Sequence, residues 1–548
     1  MLNEESQPDV SIPAAVFTKA SQIPARTAIV EGGERTSYAA LAEQIGAAAC
    51  ALVAAGIEPG DRVALWAPNS ARWIVAALAV QAVGAAFVPI NTRYKPTEAA
   101  YPLSFTGAKL LFVANGFMGL DGEAAVQLAA ESGARNIQLV DLHAADEAAT
   151  SWAGFLAAGQ SVPESRWQAA FGGISADDVS DIMFTSGSSG RPKAVPHRHG
   201  PTLRQTRNTI TENGNIEGDR YLIVNPFFHV FGYTGGWLPA LLVGATVYPM
   251  PVFDVDAVLQ LIASERITYF PGPPTIFHSI LEHPRLAEFD VTSLRLSLTG
   301  ASDVPVELIH RMLNELTFEW VIQAYGMTEC GTATYTPPDA DPETVATTIG
   351  VPCTDFEVRI VDSDNQPVAA GEPGEIAVRG YAVMSGYLDN PEASAAAIDA
   401  EGWLHTGDRG VCDARGYFQI LGRIGDMIIV GGFNVYPAEV EEALRQHPDI
   451  EDVAVIGVPD QRLGEVACAY IIGRQLPGEG RCYIEADELI AWCRERIANF
   501  KVPRYVENID KFPLTGSNKV SKVDLRERAA GQGIGDVSEA PSGRAKAD

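Results

Sequence analysis

The sequence predicts an α/β protein. Its large N-terminal domain holds two mixed or parallel sheets plus a small β subdomain, and a small α/β domain follows. Three observations predict this. Helical and strand periodicities alternate through the first 350 residues. Short strands and turns replace them up to about residue 423, and a fresh alternation begins after it.

The elements follow in chain order. TSYAALAEQIGAAACALVAAG (36–56) reads as a helix with Gly56 near its end. RVALWAPN (62–69) reads as a strand and turn, IVAALAVQAVG as the next helix and AAFVPIN as the next strand. This βαβα order implies a largely parallel sheet. It recurs across 221–300 in YLIVNPF, LPALLVGATVYPM, VDAVLQLIASERITYF and LRLSLTG. EVRIVD, GEIAVRG and YFQILG, set among Gly and Pro, form the β subdomain. After GRIGDMIIVGG, PAEVEEALRQHPDI is an amphipathic helix. EDVAVIGVPD, ACAYIIGR and RYVENID are strands, and IEADELIAWCRERI is a helix. The expected domains are 1–423 and 424–528. Residues 529–548 lack apolar periodicity and are expected to be disordered.

With 548 residues the chain exceeds one ordinary core. A hydrophobic fraction of 47% and a charged fraction of 20% suit a soluble globular protein. The net charge of -29 argues against nucleic acid and against an electrostatic membrane anchor. An anionic ligand would need a locally built site of backbone N–H groups, a few cations and a metal. Seven scattered cysteines form no CxxC pair, and His197 and His199 have no zinc spacing with them. Reduced thiols and a cytoplasmic location are expected. MLNEESQPDV is not a signal peptide. The apolar stretch Ile74 to Ile90 is interrupted by Gln81 and falls short of the roughly 20 residues a membrane helix needs. It reads as a buried helix running into a buried strand, with no integral membrane segment.

Five motifs carry chemistry. In IMFTSGSSGRPKAV (182–195) an apolar strand runs into Thr185, Ser186, Gly187, Ser188, Ser189 and Gly190, then Lys193. Glycines let backbone approach a ligand, and successive N–H groups make an anion-binding nest. It is not a Walker A loop, and alone such a loop is more often a turn. QAYGMTEC (323–330) offers the ring of Tyr325, the hydroxyl of Thr328 and the carboxylate of Glu329, a hard ligand suited to Mg²⁺ or a plain helix-start acid. GWLHTGDRG (402–410) sets Asp408 in a glycine-flanked turn, able to accept from ribose hydroxyls or simply to make an Asp turn. GRIGD (422–426) supplies Arg423. PLTGSNKVSK (513–522) supplies Lys519, by default a solvated surface lysine.

In this order these motifs resemble the adenylate-forming superfamily of acyl-CoA synthetases, aryl-CoA ligases, luciferases and peptide-synthetase adenylation domains. The resemblance spans about residues 12 to 528. It implies an enzyme that uses ATP, Mg²⁺ and coenzyme A. Thr185 to Lys193 would embrace the β- and γ-phosphates. Gly300, Ala301 and Ser302 would pack on adenine and the acyl pocket. Tyr325, followed by Gly326, would stack near adenine, Thr328 would meet the α-phosphate and Glu329 would bind Mg²⁺. Asp408 would hold the ribose with Arg423 beside it. Lys519 would bridge the substrate carboxylate and the α-phosphate. In VGGFNVYPAEVE, Gly431 and Gly432 would leave room for the thiol arm of CoA. The small domain would rotate between steps about Gly425, where many relatives carry Lys or Asp. Ser188 and Ser189 replace a common Thr-Thr, and Ala194 a common Gly.

NPFFHVFGYTGGWLPALL (225–242) resembles the acyl-pocket segment. It would place His229 by the carboxylate, with Phe231, Gly232, Tyr233, Gly236 and Trp237 around it. A packed core role is the usual one for a lone histidine. NPFFHVFGY, PGPPTIFHSILEHP, GGFNVYPAEVE and VIGVPDQRLGEV resemble actinobacterial ligases for steroid-ring indane-propanoates. Medium-chain, alicyclic or aryl acids are the alternatives, followed by a carrier-loading enzyme or a non-catalytic relative. The expected partners are a small carboxylic acid, ATP and CoA, with a homodimer compatible with the resemblance.

Overall fold

The computed structural model describes residues 10–134, 136–144, 148, 150–185, 192–300, 304–430, 433–460, 462–476, 480–497, 499–515 and 519–535. They pack as two compact units. The first is Met1–Val358 with Val378–Leu404, and the second is Arg359–Ala377 with His405–Asp548.

The first unit contains the two expected sheets. One has six strands in the order Gln138–Asp141, Leu110–Val113, Arg62–Trp66, Ala86–Pro89, Val179–Thr185 and Lys193–Arg198. The first five run parallel, and the last is antiparallel to its neighbour. The other is assembled from two four-stranded pieces. Tyr269 joins them by parallel bridges to Tyr221 on one side and Leu296 on the other. The central strands read as unbroken apolar runs because helices cover both faces of a parallel sheet.

Ala71–Ala82 shows why the longest apolar stretch is a core helix. Ser70 caps it, accepting from the Trp73 amide at 3.1 Å. Ten of its twelve residues are buried, among one core cluster that includes Val63, Phe87, Tyr221 and Val247 from both sheets. Among the described residues no helix is long and apolar enough to cross a membrane.

The second unit carries the antiparallel pairing of Asp408–Cys412 with Phe418–Arg423. It also carries a five-stranded sheet centred on Gly464–Gly473. The helix Pro437–Arg445 buries Val440 and Leu444 in this unit's core. The C-terminal expectation needs correcting in part. The last helix runs Lys522–Gly531, and Ala529 and Ile534 join the same core. Two apolar anchors hold this segment, too few to register as a period. Residues 536–548 of the expected tail lie outside the described residues.

Candidate active site

In the first unit two antiparallel strands flank the Ser/Gly loop motif. Val179–Thr185 pairs with Lys193–Arg198, and Thr185 stands opposite Lys193. Thr185 thus ends a parallel strand, the edge at which open α/β sheets bind ligands. Ser186, Gly187, Ser188, Ser189 and Gly190 lie outside the described residues, as do Ala301 and Ser302. Gly300 is described. It has φ +147°, and a Cβ there would lie 2.5 Å from the Ala324 carbonyl oxygen. Only glycine fits so close to the neighbouring strand.

That neighbour, Trp320–Met327, carries the second motif. Tyr325 is buried. Gly326 has no room for a side chain, since its Cβ would sit 2.1 Å from the Gly331 carbonyl oxygen. Thr328 and the buried Glu329 follow at the turn.

Three residues to which the sequence motifs give no role hold this turn. The phenol of Tyr387 donates to Glu329 Oε1 at 2.9 Å. Gln205 donates to the carbonyls of Cys330 and Thr332 at 3.1 and 3.2 Å. His197 contacts the Thr328 carbonyl through Nε2 at 2.7 Å. The Tyr387 segment is itself tied down. The Met384 amide donates to the Glu329 carbonyl at 2.7 Å, and the Leu388 amide to the Ala194 carbonyl at 2.9 Å. Lys193 Nζ lies 4.7 Å from the Tyr387 ring centre. The strand pair Val179–Thr185 and Lys193–Arg198, the Thr328–Glu329 turn and the 384–388 segment therefore form one braced assembly. No local pattern announced these partners.

His229 caps the short helix Val230–Gly232, and its Nδ1 accepts from the Phe231 amide at 3.2 Å. This leaves the ring proton of a neutral imidazole on Nε2, the form able to donate to a carboxylate. A π-helical turn, Tyr233–Trp237, follows. Such turns recur at functional sites. Phe231 keeps partial exposure. Gly232 is required by the fold, since its Cβ would lie 2.1 Å from the Pro226 carbonyl oxygen. Tyr233 and Trp237 stack at 4.9 Å and are fully buried, where pocket-lining rings were expected. The π turn directs both inward against Phe87 and Trp73.

In the second unit, Asp408 and Arg423 face each other across antiparallel strands, with Arg423 Nε 3.1 Å from Asp408 Oδ1. Lys519 stands near this pair. Burial and then the Arg423 charge push its ammonium below the ordinary lysine pKa, and Asp408 partly offsets them. The side chain keeps exposed surface, so the charge of Arg423 is the firmer cause. Gly425 lies in the turn Ile424–Asp426, and a Cβ there would meet nothing within 4 Å. Gly431 and Gly432 lie outside the described residues.

Comparison with known proteins decides what these elements belong to. Residues 16–388 match the AMP-binding enzyme family, and residues 439–519 match the AMP-binding enzyme C-terminal domain. The chain belongs to the AMP-binding family of AMP-forming acyl-CoA ligases. The ligase is 46% identical over 518 residues to a 3-(7a-methyl-1,5-dioxo-octahydro-1H-inden-4-yl)propanoyl:CoA ligase of Mycobacterium tuberculosis. That match covers 94% of this chain and 98% of the relative. It is 38% identical to a feruloyl-CoA synthase of Amycolatopsis sp, covering 93% of this chain and 97% of the relative. Its fold matches ATP-bound MatB from Rhodopseudomonas palustris with a TM-score of 0.83 and 27% identity, covering 96% and 99% of the two chains. The ligase therefore takes ATP, a carboxylic acid and CoA as substrates. For Mg²⁺, the fit rests on Glu329. A buried carboxylate anchored through one oxygen by a phenol is a hard donor of the right chemistry.

Proposed function

We propose that the ligase activates a hydrophobic carboxylic acid, best represented by the indane-propanoate left from steroid-ring breakdown, in a cytoplasmic catabolic setting. The observation that carries this reading is the 46% identity, over nearly the whole of both chains, to a ligase of that acid. The 38% identity to a feruloyl-CoA synthase supports an aryl acid as the second reading.

The chemistry assigns roles to the residues above. The substrate carboxylate attacks the α-phosphorus of ATP, and pyrophosphate leaves. Two anions must approach, so the ammonium of Lys519 bridges them and relieves their repulsion in the transition state. Mg²⁺ held by Glu329 would withdraw charge from the phosphate oxygens. Thr185, Lys193 and the loop between them hold the β- and γ-phosphates, while Thr328 meets the α-phosphate. Gly300, Tyr325 and Gly326 frame the adenine, and Asp408, steadied by Arg423, binds the ribose. His229 orients the carboxylate, Phe231 contacts the acyl group, and Tyr233 and Trp237 support that wall from behind. In the second step the CoA thiol attacks the acyl carbonyl and AMP leaves. Gly431 and Gly432 line the thiol path. Residues 424–528 turn as a body against 1–423 about Gly425.

A screen of acids for CoA-dependent AMP formation tests the substrate reading. It should include the indane-propanoate, octanoate, ferulate, benzoate and cyclohexanecarboxylate. The indane-propanoate is expected to have the highest kcat/KM. A tenfold preference for ferulate or benzoate would replace this reading with the second.

A further inference from the structure

A buried ion pair lies next to the nucleotide motifs. Asp181, on the strand Val179–Thr185, has no exposed surface. Its Oδ2 lies 2.6 Å from Nδ1 of His197, on the paired strand. The other ring nitrogen of His197 faces the Thr328 carbonyl oxygen at 2.7 Å. A carbonyl oxygen only accepts, and an ionised carboxylate only accepts. With the Asp181 carboxylate ionised, both ring nitrogens carry protons. Burial opposes that charge, but the Asp181 carboxylate and the Thr328 carbonyl together raise the imidazole above its ordinary pKa.

The carboxylate has further partners. The Ser180 hydroxyl donates to its Oδ1 at 2.7 Å. The Tyr233 hydroxyl, which accepts from Gln81 Nε2 at 3.3 Å, also interacts with Asp181. Polar contacts thus run from the π turn of the acyl segment, through Asp181 and His197, to the backbone of Thr328.

We propose that His197, held as an imidazolium by Asp181, is a positioning residue that fixes the Thr328 carbonyl and so sets the Thr328–Glu329 turn for adenylation. The inference rests on the reading of that turn as nucleotide-facing. A well-packed apolar pair would fill the same space at lower desolvation cost, so stability alone does not account for the ion pair. An apolar pair, however, has no N–H to hold a carbonyl 131 residues away in sequence.

Removing His197 alone would strand a buried charge and unfold part of the chain, so the test starts from Asp181→Asn. There the Asn amide donates to Nδ1, and a neutral His197 still donates from Nε2 to Thr328. Adenylation, read by pyrophosphate exchange, should stay within about threefold of wild type. Asp181→Asn/His197→Leu leaves neither a buried charge nor a donor. Its adenylation kcat should fall by about 10- to 100-fold with a smaller change in the KM for ATP. Thioester formation from preformed acyl-AMP should stay within about threefold of wild type. Asp181→Asn/His197→Gln, which restores a donor, should recover part of the loss. It also carries the test if the Leu variant does not fold. Equal adenylation in the Leu variant and Asp181→Asn would overturn the proposal, as would equal loss in both half-reactions. Glu329→Gln is the separate arm. If it leaves adenylation intact, the nucleotide-facing reading fails. If it abolishes adenylation while the Leu variant does not, only the role of His197 fails.

Discussion

Tyr387 donates a 2.9 Å hydrogen bond to the Glu329 carboxylate, and the ammonium of Lys193 lies 4.7 Å from the centre of the same ring. One aromatic side chain thus braces two of the sequence motifs. A buried carboxylate without a partner would swing or take up a proton. The phenol holds the Glu329 carboxylate in one orientation. Burial, then the Glu329 charge and this hydrogen bond, push the Tyr387 hydroxyl well above its ordinary pKa, so it remains a donor through the working pH range.

Tyr387→Phe removes only that donor. A hydrogen bond to a charged group is worth about 1.5–3 kcal/mol, which is a tenfold effect or more. Adenylation is expected to drop by about tenfold, with a higher Mg²⁺ concentration needed for half-maximal rate. Pyrophosphate exchange titrated with Mg²⁺ checks this. An unchanged Mg²⁺ requirement would remove Glu329 from the metal site.

Lys519→Ala should cost adenylation about 10²–10³-fold while sparing thioester formation from preformed acyl-AMP. In the proposed role the active form is the ammonium, and its pKa is lowered in the folded protein. Adenylation should therefore fade as pH rises through that lowered value, below the ordinary lysine value of about 10.4. Stopped-flow or quench measurements of the two half-reactions against pH would read both effects. Equal loss in both steps would count against the assigned role.

His199 predicts an acid weakness. Burial pushes its imidazole down to about 4, with Asp181 and Asp178 partly opposing, and its Nδ1 accepts from the Ile12 amide at 3.3 Å. The unfolded chain binds this proton near pH 6.5, well before the folded chain does. Stability contributed by the neutral ring is thus lost as pH falls from about 6.5 to 4, by roughly 3 kcal/mol. The slope of Tm against pH over that window should be shallower in His199→Gln than in wild type. Parallel slopes would assign the acid sensitivity elsewhere.

Gly425 has open space around it and no left-handed backbone to satisfy. Gly425→Ala should therefore change stability by no more than about 0.5 kcal/mol. If this glycine is the hinge, steady-state turnover with CoA slows in the variant while isolated adenylation keeps its rate. Matching turnover in the two proteins would move the hinge away from residue 425.

The element order was legible because hydrophobic periodicity is a local property. Arg62–Trp66, Ala71–Ala82 and Ala86–Pro89 each announce themselves within a few residues. The motif residues Thr185, Glu329, Asp408 and Lys519 were legible for another reason. They recur in one order along a chain that resembles a known family, and the family comparison bears out that resemblance. The amino-acid order therefore settled most of the element order, the family and the chemical class.

Folding alone decided who holds whom. Tyr387 reaches Glu329 across 58 residues, Gln205 reaches Cys330 across 125, and His197 reaches Thr328 across 131. A tyrosine between a strand and a turn carries no local mark of its distant acceptor. Likewise, whether Tyr233 and Trp237 face a ligand or the core depends on the π turn, in which a Cβ at Gly235 or Gly236 would crowd Phe231 or Ile223. Periodicity records which face of an element is apolar. Only closure of the chain determines which polar groups lose water together and must therefore find each other.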